Sequence, residues 1–351
     1  MQVVFRDIDS FMEQLEGKKI LLVCGRSFDS LPVCEKISKA AKVRFGGFSP
    51  NPVYEDICRG VDLFRREECD AVLAVGGGSA MDTAKCIKLF SGLPEGTDYL
   101  GYDHSENGIP LYAVPTTAGT GSESTAVAVI YRDGRKISVR HDSLVPSRIC
   151  LLPELLKALP EYQKKCTMLD ALCQAVESYW SVGSTPESSE YAMRAAEMIT
   201  SCCMEYVFEC TDRSCGMMME AANLAGRAIR ITATTAPHAM SYMLTTGFGL
   251  PHGHAVALSM AEIWKFISEN TDRCSDPRGE AHLKTVLESL PLSHDGFLSM
   301  LDVLEIGRPK SGSRESDAVR LAASVDISRL RNTPVIPTRE ELERMYLAIL
   351  G

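Results

Sequence analysis

Residues 71–90 read AVLAVGGGSAMDTAKCIKLF, and this stretch decides the fold. Its first five residues, 71–75, contain no polar side chain, which is how a strand reads when both of its faces are covered. Gly76, Gly77, Gly78 and Ser79 follow at once, and residues 80–90 then place apolar side chains at helical spacing with Asp82 in the first turn. Strand, glycine turn and helix form the repeating unit of a parallel sheet covered by helices. Backbone amides at such a helix start can cradle a diphosphate. Glycines there equally serve a turn that binds nothing.

Working toward the N-terminus, KILLVC (19–24) and residues 43–48 read as strands, with helical patterns over 33–41 and 54–67. Toward the C-terminus, a fourth strand at 111–114 runs into PTTAGTGSES (115–124), whose hydroxyls and amides suit a ribose, a phosphate or a carboxamide. Residues 126–140 split into two alternating runs about Asp133 and Gly134, the signature of a tight hairpin. These elements predict a doubly wound α/β dinucleotide-binding domain over 1–155. Arg26 and Ser27 end the first strand. A cation and a hydroxyl there suit the extra phosphate of NADP(H), where an acid would take the ribose hydroxyls of NAD(H); Arg26 reads equally as a surface arginine.

Past Pro146, Pro153 and Pro160 the strand patterns stop, and 164–181, 186–209 and 215–231 carry helical periodicity. An all-α second domain over 156–351 is expected. Its chemistry concentrates in TATTAPHAMSYMLTTGFGLPHGHAVAL (232–258), which holds three of the seven histidines, His238, His252 and His254. The pattern predicts a helix through His238 and Tyr242, a break at Gly247, Gly249 and Pro251, and a second helix opening at His252. Two imidazoles then meet across one turn, an arrangement that binds a metal once a carboxylate joins it. Asp170, Gln174 and Glu177 share one face of an earlier helix, and Asp170 is the carboxylate to complete the set. The alternative gives Asp170 and His252 helix-end roles and Glu177 a salt bridge.

A formal charge of −9 with no basic run argues against nucleic acid and anionic membranes. No apolar run approaches the ~20 residues that span a bilayer. Thirteen cysteines without C-x-x-C spacing suit buried, reduced thiols and a cytoplasmic protein.

Taken in order, GGGSAMDTAK (76–85), PTTAGTGSES (115–124), the DAL..A.ES helix (170–178) and HAMSY…LPHGHA (238–255) resemble the iron-containing alcohol dehydrogenase family. The resemblance implies the dehydroquinate synthase-like fold: a dinucleotide-binding α/β domain followed by a helical metal domain. It implies metal ligands at Asp170, Gln174, His238 and His252, holding Fe2+ or Zn2+. It implies diphosphate contacts at Gly76, Gly77, Gly78 and Ser79, and nicotinamide contacts at Asp82, Thr116, Thr117 and Thr120. A homodimer follows by the same analogy. Family members commonly carry histidine where this chain has Gln174 and Tyr242. Residues 174–188 and 234–258 further resemble a phosphonoacetaldehyde reductase subgroup, which implies reduction of phosphonoacetaldehyde to 2-hydroxyethylphosphonate. A phosphonate needs cations, for which Lys136, Arg227 and Arg230 are the candidates. Tyr242 and His254 are candidate proton donors. A general primary-alcohol dehydrogenase, a dehydroquinate synthase-type cyclase or lyase, and a non-catalytic nucleotide-binding module are the competing readings.

Overall fold

A computed structural model describes residues 2–351 and divides the chain into two compact units that meet between Leu159 and Pro160. The sequence reading put that boundary at 155/156.

The first unit is built on a six-stranded sheet in the order β1-β8-β5-β4-β2-β3, parallel throughout. Its strands are β1 (Val3–Phe5), β2 (Ile20–Cys24), β3 (Val43–Phe45), β4 (Ala71–Gly76), β5 (Leu111–Pro115) and β8 (Arg148–Cys150). Four helices connect them: α1 (Ile8–Glu13), α2 (Cys34–Ala40), α3 (Tyr54–Arg66) and α4 (Gly78–Phe90). Two strands, β1 and β8, have no counterpart in the sequence reading, and β3 is shorter than the 43–48 run read as a strand. The central strands β2, β4 and β5 are buried along almost their whole length, and one core cluster runs from Phe11 and Phe28 across Leu22, Leu73 and Tyr112. The remaining two strands, β6 (Val127–Arg132) and β7 (Arg135–Arg140), form the expected antiparallel hairpin. Asp133 and Gly134 both take positive φ, as a primed turn requires.

The second unit is helical: α5 (Glu161–Trp180), α6 (Pro186–Met204), α7 (Asp212–Thr232), α8 (Ala236–Phe248), α9 (His252–Glu269), α10 (Glu280–Ser289), α11 (His294–Val303), α12 (Arg314–Ser324) and α13 (Arg339–Ile349). Thr185 opens α6 with a capping box to Ser188, and Pro186 occupies the first helical position. The single helix expected over 186–209 is shorter than read: α6 ends at Met204, a π-helical turn covers Glu205–Glu209, and Cys210 breaks the run in the left-handed region. Between α8 and α9 the chain turns at Gly249, also left-handed, and Pro251. At the centre, α5 is buried over most of its length and packs against α6, α7 and α9. No described helix is long and apolar enough to cross a membrane.

Candidate metal centre and nucleotide-binding loops

Three ligand atoms converge in the second unit. Asp170 lies mid-way along α5, His238 in the first turn of α8 and His252 at the first residue of α9. One ligand atom from each falls within 4.8 Å of the others. Nε2 of His238 is 3.2 Å and Nε2 of His252 is 4.0 Å from the same oxygen, Oδ1 of Asp170. The two imidazole rings stand edge to face, 5.3 Å apart. Asp170 and His238 are buried, while the His252 side chain keeps 38% of its surface exposed, so the cluster has one open side. Close packing creates this geometry: a Cβ on Gly253 would sit 1.8 Å from the Cys166 carbonyl oxygen and 3.0 Å from Cβ of Asp170, so glycine lets α9 cross α5 at backbone contact.

Glu177, two turns along α5 from Asp170 and fully buried, organises the site from behind. Its Oε1 accepts from the backbone N–H groups of Thr235 (3.0 Å) and His238 (3.3 Å) and from the Thr235 hydroxyl (2.9 Å), so a carboxylate caps the start of α8. Its Oε2 accepts from Nδ1 of His238. That bond orients the ring and aims Nε2 at Asp170 and His252. Burial alone would push His238 down, but the Glu177 and Asp170 carboxylates outweigh it and raise it to about 9. Burial would raise Asp170, yet the hydrogen bond from His238 and the neighbouring His252 and Gln174 leave it below its ordinary range. Two imidazole nitrogens and one carboxylate with an open side match what Fe2+ and Zn2+ bind catalytically. Gln174 is buried one turn after Asp170, with its side chain hydrogen-bonded to that carboxylate.

The other predicted residues of this unit fall in different surroundings. His254 accepts from the Tyr162 hydroxyl at Nδ1 (2.7 Å) and donates from Nε2 to the Gly307 carbonyl (2.7 Å), and burial lowers its pKa below the ordinary imidazole value. With both nitrogens engaged it ties α9 to α5 and to the segment at Gly307. Arg227 is exposed and lies over the Tyr191 ring at 4.0 Å, and Arg230 is exposed on the same helix. Tyr242, one turn after His238, accepts a 2.7 Å hydrogen bond from Nη1 of Arg329, a residue that no sequence motif marks.

In the first unit the two glycine- and threonine-rich loops leave adjacent strands. Gly76 pairs with Pro115, and the Thr116 amide donates to the Gly76 carbonyl at 3.0 Å. A Cβ on Gly77 would meet Thr117 at 3.2 Å and one on Gly78 would meet Thr120 at 3.1 Å, so the loops touch where α4 begins. Gly76 itself has φ +152°, with Ala80 only 2.7 Å from where its Cβ would be. Ser79 lies within 3.4 Å of the Asn51 amide. Asp82 accepts from the Ser122 hydroxyl (2.9 Å) and the Val129 amide (3.0 Å); burial raises its carboxyl against the pull of Lys85 and Lys136. Lys85, fully buried, ties the loop down through Ser122 Oγ, Thr125 O and Oγ1, and Val127 O at 2.8–3.0 Å. Burial lowers its ammonium to about 8 despite Asp82 and Glu123 nearby. Arg26 and Ser27 are exposed after β2, where Asp29 pairs with Arg44. These loops place glycines and threonines at strand ends, the position where doubly wound sheets bind dinucleotides.

Comparison with known proteins agrees with both halves. Residues 3–153 match the iron-containing alcohol dehydrogenase family and residues 165–292 its C-terminal domain. The chain is 34% identical over 239 residues to a phosphonoacetaldehyde reductase of Streptomyces viridochromogenes, a match covering 64% of this chain and 60% of that protein. It is 30% identical over 274 residues to an NAD-dependent methanol dehydrogenase of Bacillus methanolicus, covering 74% and 71%. Among solved structures it is similar to the sulfoacetaldehyde reductase of Bifidobacterium kashiwanohense in complex with NAD+, with a TM-score of 0.87, 25% identity, and coverage of 100% of this chain and 97% of that one. With Asp170, His238 and His252 grouped in one unit and matches to both family models, the chain belongs to the iron-containing alcohol dehydrogenase family and is a metal-dependent, NAD(P)-linked oxidoreductase.

Proposed function

We propose that this protein reduces a small aldehyde bearing an anionic head to the corresponding primary alcohol, with phosphonoacetaldehyde as substrate and 2-hydroxyethylphosphonate as product. The observation that carries the chemistry is the convergence of Asp170, His238 and His252 with one open side, backed by Glu177. Support for the substrate class comes from two similarities: one relative is named for a phosphonate-bearing acetaldehyde, one structural neighbour for a sulfonate-bearing one. When bound, the nicotinamide supplies hydride and the divalent metal supplies the charge that polarises the carbonyl.

The chain's own residues do the rest. Asp170, His238 and His252 hold the metal, with Gln174 as a fourth, neutral donor, and Glu177 keeps the proton of His238 on Nδ1. Gly76, Gly77, Gly78 and Ser79 take the diphosphate, Arg26 and Ser27 the 2′-phosphate of NADPH, and Asp82, Thr116, Thr117 and Thr120 orient the nicotinamide. Tyr242 gives its hydroxyl proton to the nascent alcohol oxygen while Arg329 steadies the phenolic oxygen left behind.

The test is NADPH and NADH oxidation by zinc- or iron-loaded protein offered phosphonoacetaldehyde, sulfoacetaldehyde and propanal at matched concentrations. The proposal predicts a marked preference for the anionic aldehydes. Equal kcat/KM for all three would make it a general alcohol dehydrogenase, a reading favoured by the similarity to the methanol dehydrogenase.

A further inference from the structure

We infer that Arg329 recognises the anionic head of the substrate, a tetrahedral oxyanion one carbon away from the aldehyde. The inference rests on the aldehyde-reductase reading above and names the cation that reading lacks.

Residues 326–334 are strapped to the start of the metal-bearing helix. The Asn332 side chain donates to the Thr232 and Thr234 carbonyls (2.6 and 3.4 Å) and accepts from the Ser181 hydroxyl and the Gly183 amide (2.6 and 3.1 Å). Thr333 Oγ1 accepts from the amide of Ala236, the first residue of α8, at 3.0 Å. Asp326 caps the short turn that follows it, accepting from Ser328 N and Oγ at 3.0 and 2.7 Å. These anchors fix where Arg329 emerges.

Its guanidinium lies 5.2 Å from the Tyr242 ring centroid and donates to the Tyr242 hydroxyl from Nη1. Asp326 stands 3.7 Å from Nε, and the Arg329 side chain is 37% exposed, so the charge is oriented without being enclosed. Tyr242 and His238 sit four residues apart on one face of α8. One helical turn, about 5.4 Å along the axis, separates the two positions, so Tyr242 and the guanidinium against it lie on the His238 side of α8. A planar guanidinium matches a phosphonate or sulfonate edge with two parallel N–H donors. Arg227 and Arg230 lie instead on α7, both exposed, with Arg227 over the Tyr191 ring.

The experiment compares wild type, R329Q and R329K as metal-loaded holoenzymes on phosphonoacetaldehyde, sulfoacetaldehyde and propanal, and measures competitive inhibition of propanal reduction by ethylphosphonate and ethanesulfonate. R329Q is expected to lower the ratio of anionic-aldehyde to propanal kcat/KM by about ten- to a hundred-fold. It should weaken both inhibitors to a similar degree, with R329K intermediate; R329K also carries the test should R329Q fail to fold. An unchanged ratio and unchanged inhibition in the variants of a wild type that prefers anionic aldehydes would overturn the role of Arg329 and leave the substrate reading standing. A wild type without that preference, yet inhibited by ethylphosphonate through Arg329, would overturn the substrate reading and keep the anion site. Insensitivity of wild type and variants alike to both anions would overturn both.

Discussion

Glu177 carries two structural duties on one carboxylate: Oε1 caps α8 while Oε2 holds Nδ1 of His238. Replacing it with glutamine keeps an oxygen for the cap but turns an amide N–H toward a ring N–H. E177Q is therefore expected to fold and to bind zinc about 10–100-fold more weakly, measured by competition with a chelating dye. Unchanged affinity would mean that Glu177 serves α8 alone. Lys85 gives a pH-dependent prediction. Its folded pKa of about 8 lies below the ordinary 10.5, so between these values the unfolded chain binds more protons and stability rises with pH. Relative to K85M, wild type should gain up to roughly 3 kcal/mol of unfolding free energy from pH 8 to 10.5, with no relative gain below pH 8. Denaturant melts of both proteins across that range would show it, and parallel curves would contradict it. At this scale the sequence was uneven. Asp170, His238 and His252 were legible because polar residues on apolar helical faces stand out. Glu177 was visible on the same face as Asp170, but its partner lies 61 residues away. Arg329 was invisible, since nothing periodic links it to Tyr242 across 87 residues.

At the scale of elements, the crossing of α5 and α9 sets the distance between Asp170 and His252. A methyl group on Gly253 has no room against the Cys166 carbonyl. G253A should cost roughly 3 kcal/mol or more, because the obstacle is backbone and the helices must part. It should also lose metal before it loses helix content, read by metal analysis beside far-UV circular dichroism. Retained metal at full occupancy would show that α9 holds His252 independently of the crossing. The turn after β4 makes a parallel case. Gly76 sits at φ +152° with Ala80 pressed against it, so G76A is expected to lower stability by about 1–3 kcal/mol in thermal melts. Elements long enough to repeat a period were readable: β2, β4, β5, the hairpin and the central helices. Three-residue β1 and β8 were not, and the π-helical turn after α6 was read as continuing helix because Tyr206 and Val207 stay buried in helical phase.

For the whole molecule, the division of labour was legible from texture alone: strands and glycine turns before the prolines, helices after them. The segment that straps Arg329 and Thr333 to α8 comes from residues 326–334, where no motif marks it. Long-range hydrogen bonds of that kind leave no trace in local composition. The central claim is that Asp170, His238 and His252 hold a divalent metal on which NAD(P)H-linked aldehyde reduction depends. The measurement that tests it most directly is aldehyde-dependent NADPH or NADH oxidation by one preparation of wild type before stripping with chelator, after stripping, and after restoring iron or zinc, with D170N alongside. The account predicts that activity falls to background on stripping and returns with metal. D170N should bind metal weakly and stay inactive throughout. Undiminished oxidation by stripped protein, or by D170N, would contradict it.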